Sequence, residues 1–243
     1  MTYSTNLDLI HPIFRFKTDA MRQLLNLTSR GYTFWTSGQV SPKKCPALVY
    51  KFRDRYDIDA THQQRYRAKK KGLCITTLIL WQDDPDTIHW WLLTTEGEGV
   101  IKDLEKLNDA KSNKQRLTCT GYELVKTPRK DNPARWSWRM TKDTEAEWHR
   151  RFQRSIRSQD KMILKQSVYS LKRVPAFAES RRQVFAIMRK AKNEWIRTRK
   201  GPWPYEDFKQ GWIGRYKPFR TTEVKRNSIK SGRKSKQVEL SDT

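Results

Sequence analysis

Acid is what this sequence has too little of: 26 Asp and Glu stand against 51 Lys and Arg in 243 residues, a formal net charge of +25. Solubility does not require that excess, and packed like charges repel one another and oppose folding. A polyanion relieves the repulsion by giving up its counterions to Lys and Arg. Nucleic acid is the most abundant such partner, and an anionic membrane surface is the next. Aliphatic side chains are scarce as well. The hydrophobic fraction is 36%, against roughly 45–50% in an ordinary globular domain. Low hydrophobicity with high charge is the composition of disordered chains. Ten Trp, nine Tyr and nine Phe argue against that reading, because each large ring can bury about 150–250 Å². The composition predicts a folded core built on rings, followed by a disordered end.

Three cysteines, Cys45, Cys74 and Cys119, lie far apart, with no Cys/Cys or Cys/His pair at zinc-ligand spacing. No metal is expected, and an odd number of thiols fits a reducing compartment. The first residues, MTYSTNLDLIHPIF, lack the charged start and apolar stretch of a signal peptide. No run reaches the roughly 20 apolar residues of a membrane span. The expectation is a cytoplasmic or otherwise intracellular protein, nucleoid and nucleus included, with no membrane partner. The glycine patterns of P-loops and dinucleotide sites are missing, and Gly97-Glu98-Gly99 is too short and too acidic to cradle a phosphate. No cofactor is expected.

Periodicity predicts a helix over about 18–30, capped by Thr18 or Asp19, with Met21, Leu24, Leu25 and Leu27 on its apolar side and Gly31 ending it. Residues 32–36 read as a strand, 47–56 as a helix, and 61–71 as a short basic helix stopped by Gly72. Leu73–Trp81 and Ile88–Thr94 are apolar on both faces, which predicts central strands covered on each side. Asp83-Asp84-Pro85-Asp86 supplies the turn of an antiparallel hairpin. A helix follows at 99–109, with Val100, Ile101, Leu104 and Leu107 on one side, then strands at about 116–125 and 135–141. Along the last, Trp136, Trp138 and Met140 alternate with Arg135, Ser137 and Arg139. Helices are predicted from 142, over 160–172 with Met162, Ile163 and Val168 inward, and over 176–199 with Val184, Ile187, Met188, Ala191, Trp195 and Ile196 inward. Strands first and helices afterwards make an α+β fold: an antiparallel sheet of four to five strands in an aromatic-rich core over 1–142, a basic helical region over 143–219 packed on it, and a basic tail over 220–243.

The charge is unevenly spread, +8 over residues 1–150 and +17 over 151–243. Arg150, Arg154, Arg157 and Lys161 recur at i, i+4, i+7 and i+11, an acid-free stripe about half a turn from Trp148, Phe152 and Ile156. One side of that helix is suited to burial and the other to phosphates. The helix predicted over 176–199 repeats the theme with Arg181, Arg182, Arg189, Lys190, Lys192, Arg197, Arg199 and, just beyond it, Lys200, offset by Glu179 and Glu194; the Arg fork fits phosphate bidentately. A third group, Arg65, Tyr66, Arg67, Lys69, Lys70 and Lys71, sets one stackable ring among cations. Its cations would equally favour the C-terminal end of a helix dipole. Arg135 and Arg139 flank Trp136 and Trp138. Those rings could stack on bases, but Trp at period two more often forms a buried face.

Catalysis has weaker candidates. His62 could act as a general base with Arg65 or Lys69 steadying phosphorane charge, whereas His89, inside an apolar strand, reads as a core histidine. Asp83, Asp84, Asp86, Glu96 and Glu98 could hold Mg²⁺, but they also serve as turn formers and a solubilising acidic island. The leading expectation is therefore a nucleic-acid-binding protein, of DNA or RNA, that grips the phosphate backbone through basic helices. That character would suit an accessory factor of a plasmid or other mobile element. The alternatives are a nuclease or RNA-processing endonuclease, and a structural component of a ribonucleoprotein with other proteins of the complex as partners.

Overall fold

The computed structural model describes residues 11–199 and 201–205; Lys200, the end of the basic region expected over 143–219 and the tail expected from 220 lie outside them. The α+β reading holds, with seven helices among the described residues. Helix α1 (Lys17–Ser29) buries Ala20, Met21, Leu24, Leu27 and Thr28, the spacing of one helical face. Its N-cap is Phe16, which offers no side-chain oxygen, so neither Thr18 nor Asp19 caps it as expected. Gly31 ends it at φ +100°, a conformation that favours glycine.

Three seven-residue strands form the main sheet: β2 (Phe34–Val40), β3 (Thr76–Gln82) and β4 (Ile88–Thr94). Strand β4 lies between β2 and β3, antiparallel to both. The β3–β4 hairpin turns as expected, Asp84 accepting the Asp86 N–H at 2.8 Å. The two-residue strands β1 (Ile13–Phe14) and β5 (Asn108–Asp109) extend the order to β1-β3-β4-β2-β5, with β1 parallel to β3.

Register assigns the faces. Leu78, Leu80, Ile88 and Leu92 share one face and pack against Val49, Phe52 and Tyr56 of helix α2 (Cys45–Tyr56), with Ile58 and Ile101. Ile79, Trp81, Trp91, Leu93 and Trp35 occupy the other, in a second core shared with α1 and the rest of the chain. Both faces of β3 and β4 are covered, as their unbroken apolar runs require. Trp90 lies across Gly38, its cross-strand partner.

Two expected elements differ. The helix at 99–109 shrinks to α4 (Ile101–Leu104), of which Ile101 alone is buried while Val100 and Leu104 are exposed. The strand at 116–125 is two strands, β6 (Thr118–Cys119) and β7 (Tyr122–Thr127), separated by Thr120 and Gly121, both at positive φ. With β8 (Arg135–Met140) they form a second sheet, β6-β7-β8. Helix α5 (Lys142–Arg157) packs on α6 (Lys161–Lys172) and α7 (Ala178–Arg199), and α7 runs beside β8. Gln183 of α7 accepts from the Met140 N–H (2.6 Å) and donates to its C=O (3.1 Å), closing part of the edge of β8. In α6 the inward residues are Leu164, Ser167, Val168 and Leu171; Met162, 82% exposed, and Ile163 lie outside, contrary to expectation. The expected inward face of α7 holds through Ala191, but Ile196 is exposed.

A Cβ added at Gly38 would lie 2.7 Å from the Trp90 ring. Gly38→Ala is expected to cost about 1–3 kcal/mol, the cost of overpacking, measured by denaturant unfolding, and Gly38→Ala with Trp90→Leu should recover part of the loss. Burial also pushes the Cys45 thiol up from 9.0 to about 11 and the Cys119 thiol from 9.0 to about 12. The Tyr56 phenol, desolvated and donating to Glu105, rises from 10.0 to about 12. All three keep their protons longer in the folded chain than in the unfolded one. Their contribution to stability is complete below about pH 9 and is lost as pH rises through 11 and 12. The unfolding temperature should therefore fall across that window, and less steeply in Cys119→Ala.

Candidate nucleic-acid interface

Helix α5 divides its faces as its sequence requires. Phe152, Ser155 and Ile156 are buried, Trp148 is half-buried, and Arg150, Arg154 and Arg157 are exposed. Thr141 caps the helix by accepting the Thr144 N–H at 3.3 Å. The stripe does not continue to Lys161. The helix ends at Arg157, Gln159 turns the chain at φ 62°, and Asp160 caps α6, whose first residue is Lys161. Nor is the stripe free of acid in space: Arg150 meets Glu147 at 2.6 Å and Arg157 meets Glu194 of α7 at 2.8 Å. Residues one turn away and on α7 supply what the stripe itself lacks.

On α7, Arg182 pairs with Glu179 at 3.0 Å and Arg197 with Glu194 at 2.8 Å. Lys190 lies 3.5 Å from His149, whose pKa is held below its ordinary value by burial and then by the Lys190 charge, with Glu145 opposing. Arg199 serves the fold: its guanidinium donates to the C=O groups of Ile156 and Arg157, closing the C-terminal end of α5. Lys192 is half-buried and engaged within the chain. Arg181 is half-buried and Arg189 exposed. Arg154, Lys161, Lys165 and Arg189 are exposed with no hydrogen-bond or ion-pair partner among the described residues.

Helix α3 (His62–Lys70) buries no residue at all. It is held from its ends. Thr61 and Gln64 form a reciprocal capping box, with bonds of 2.7 and 3.3 Å, and Gly72 follows at φ +74°. Arg65, expected among the phosphate contacts, donates instead to the C=O of Ala60 (2.9 Å), the C=O of Ile58 (3.0 Å) and the Tyr32 hydroxyl (3.4 Å). It is therefore not placed to stabilise a phosphorane beside His62. Arg67, Lys69, Lys70 and Lys71 are exposed, as is Tyr66, whose ring is 5.2 Å from the Lys70 ammonium.

The β7–β8 hairpin carries a charge gradient. Near its base, Glu123 accepts from Arg116 (3.1 Å) and Arg139 (2.6 Å). Toward its tip, Lys126, Arg129, Lys130 and Arg135 are exposed against Asp131 alone. Trp136 and Trp138 are buried, so neither can stack on a base. Arg129, Lys130 and Lys165 are not among the cations expected at the interface; the excess of four cations over one acid between Lys126 and Arg135 is the signal for the tip.

The remaining catalytic candidates do not converge. His89 is stacked beside Trp81 at 4.9 Å and Trp91 at 6.1 Å, with Asp83 3.5 Å from Nε2, as a core histidine would be. Glu96 pairs with Lys111 at 2.6 Å, and Asp84 forms the turn. Among the described residues no group of three His, Cys, Asp or Glu could hold a metal ion, and no helix is long and apolar enough to cross a membrane.

Cations that serve the fold should separate from those that do not. Arg65→Gln is expected to lower stability by about 1–3 kcal/mol, through acceptors left without a donor, whereas Lys69→Gln should stay within about 0.5 kcal/mol; chemical denaturation of both variants measures the difference. Compared with known proteins, the chain matches no family model, no curated protein and no solved structure.

Proposed function

We propose that this chain is a nucleic-acid-binding protein that holds the phosphate backbone through helices α5–α7, with the exposed end of α3 as a second contact. The observation that carries the reading is how the acids of the helical layer are already occupied. Residues 142–199 contain sixteen Lys and Arg and six Asp and Glu. Glu147, Glu179 and Glu194 are ion-paired. Glu145 accepts from Gln183 at 2.8 Å, and Asp160 caps α6. Asp143 stands in the first turn of α5, where the helix dipole favours a carboxylate. Six acids cannot balance sixteen cations, and Arg154, Lys161, Lys165 and Arg189 have no ion-pair partner among the described residues, a surplus that counterions or a polyanion would balance.

The ion pairs on this surface do not block such a ligand. Arg150 and Glu147 are 63% and 65% exposed, and solvent-exposed pairs contribute about 0–1 kcal/mol. A phosphate that accepts two bonds from one guanidinium competes well with them. Phosphate contact positions a protein without reading bases, so the interface described here is sequence-tolerant.

Affinity for a nucleic acid should fall on the order of 10³–10⁵-fold between 50 and 200 mM salt if six to ten phosphates are contacted. The triple variant Arg150→Glu, Arg154→Glu, Arg157→Glu should bind far more weakly and with a shallower salt dependence. Fluorescence anisotropy measures both. Binding that ignored salt, or survived the triple reversal intact, would overturn this interface.

A further inference from the structure

The tip of the β7–β8 hairpin has no role in the fold that its charge would explain. Its base is neutralised by Glu123, its tip is not, and the change occurs within one strand length: Arg139 is paired, while Arg135, Arg129 and Lys130 are exposed and unpaired among the described residues. The base is also rigidly held. Trp138 is fully buried and donates its indole N–H to the Met21 C=O at 2.8 Å. Ser137 accepts the Glu179 N–H at 3.1 Å, in the first turn of α7. Arg135 lies on the same strand face as Ser137, two residues nearer the tip, which is about 7 Å along the strand. Arg135 is thereby carried on a strand anchored to the first turn of α7, next to Arg181 and Arg182 in sequence.

We propose that this tip enters a groove of double-stranded DNA while the α7 cations hold the flanking phosphates. The inference rests on the nucleic-acid reading above and adds the kind of nucleic acid. Three observations favour a duplex and B-form geometry. First, the rings beside the tip, Trp136 and Trp138, are buried, so the hairpin tip lacks the stacking platform that single-strand binders use. Second, the strands of a hairpin lie about 5 Å apart, and a two-stranded ribbon fits the major groove of B-DNA, about 12 Å wide. The deep, narrow major groove of an RNA duplex does not admit it. Third, Pro128 and Pro133 bracket the tip. They remove backbone donors there and disfavour strand addition from a partner protein. The exposed ring in the helical layer is Tyr169, with the Arg173 guanidinium 5.2 Å from its centroid. A single strand would have to use that ring or Tyr66 of α3, which is 57% exposed with the Lys70 ammonium 5.2 Å from its centroid.

The test uses the full chain and three probes of one sequence: a DNA duplex, its single strand and the corresponding RNA duplex. The DNA duplex is expected to bind tightest. Arg129→Glu, Lys130→Glu, Arg135→Glu should weaken duplex binding by about tenfold or more and reduce the salt slope by about 2–3, with little change for the single strand. The Gln versions of the same three substitutions should weaken it less, and all should melt close to the parent, because these side chains are exposed. Salt-dependent binding that the tip variants leave unchanged would overturn this inference and leave the nucleic-acid reading standing. The same holds for equal affinity for the RNA duplex, or for single-strand preference lost in Tyr66→Ala or Tyr169→Ala. Failure of the parent chain to bind any of the three probes would overturn both.

Discussion

The position of every cation on α5–α7 depends on strand β8, because that strand is where the helical layer is fastened to the rest of the chain. Three core-side or edge groups of β8 reach two different helices, α1 and α7. The Trp138 indole bonds the backbone of α1, the Ser137 hydroxyl accepts from the first turn of α7, and the Met140 backbone pairs with Gln183 one turn further along. Phe177, which leads into α7, lies 6.5 Å from the Trp138 ring. Removing such a buried ring costs about 3–5 kcal/mol. A chain poor in aliphatics has few other ways to gather this much apolar contact at one place, and the aromatic richness of the sequence is explained by it. The rings hold the scaffold, and the cations are left for the surface.

That division has an electrostatic consequence. Sixteen cations on one helical layer repel one another, and the six acids among them are too few to compensate. The layer uses those acids economically: Glu194 serves Arg157 and Arg197 at once, tying α5 to α7. Arg199 is diverted from the surface to close the end of α5. These arrangements reduce the repulsion locally and leave the outward field positive, which is the condition for attracting a polyanion from a distance.

Most of the elements were legible in the sequence, because period and punctuation agree there. The β3–β4 hairpin was read from two apolar runs around an Asp-Pro turn, α3 from a basic run ending at Gly72, and the split faces of α5 from Trp148, Phe152 and Ile156. The misread positions share a cause. Val100, Leu104, Met162 and Ile163 have the apolar spacing of a buried face and are exposed, because burial depends on which neighbour arrives, and the neighbours are remote in sequence. The site was legible as charge and not as pairing. The stripe of α5 contains no acid at helical spacing, yet Arg157 meets Glu194 from 37 residues away. Arg65 looked like one cation among five, and its acceptors, Ile58, Ala60 and Tyr32, carry no sequence signal that marks them as such.

Helix α3 presses the same physics furthest. It has nine residues and buries none of them, whereas isolated helices shorter than about 12–15 residues are marginal in water. Tertiary packing, the usual source of helical stability, is missing. What remains is local: the Thr61–Gln64 capping box, the Arg65 tether and a glycine that lets the chain turn away. Against these stand Arg67, Lys69, Lys70 and Lys71 within its last turns, with no acid anywhere from 62 to 71. The cations gain from the dipole at that end, but like charges three and four residues apart oppose the helix. A phosphate brought to this end would cancel the repulsion while leaving the caps and the tether in place. On the proposed function, binding and helix formation would be coupled at α3 in a way they would not be at α5, where buried Phe152 and Ile156 hold the helix by packing.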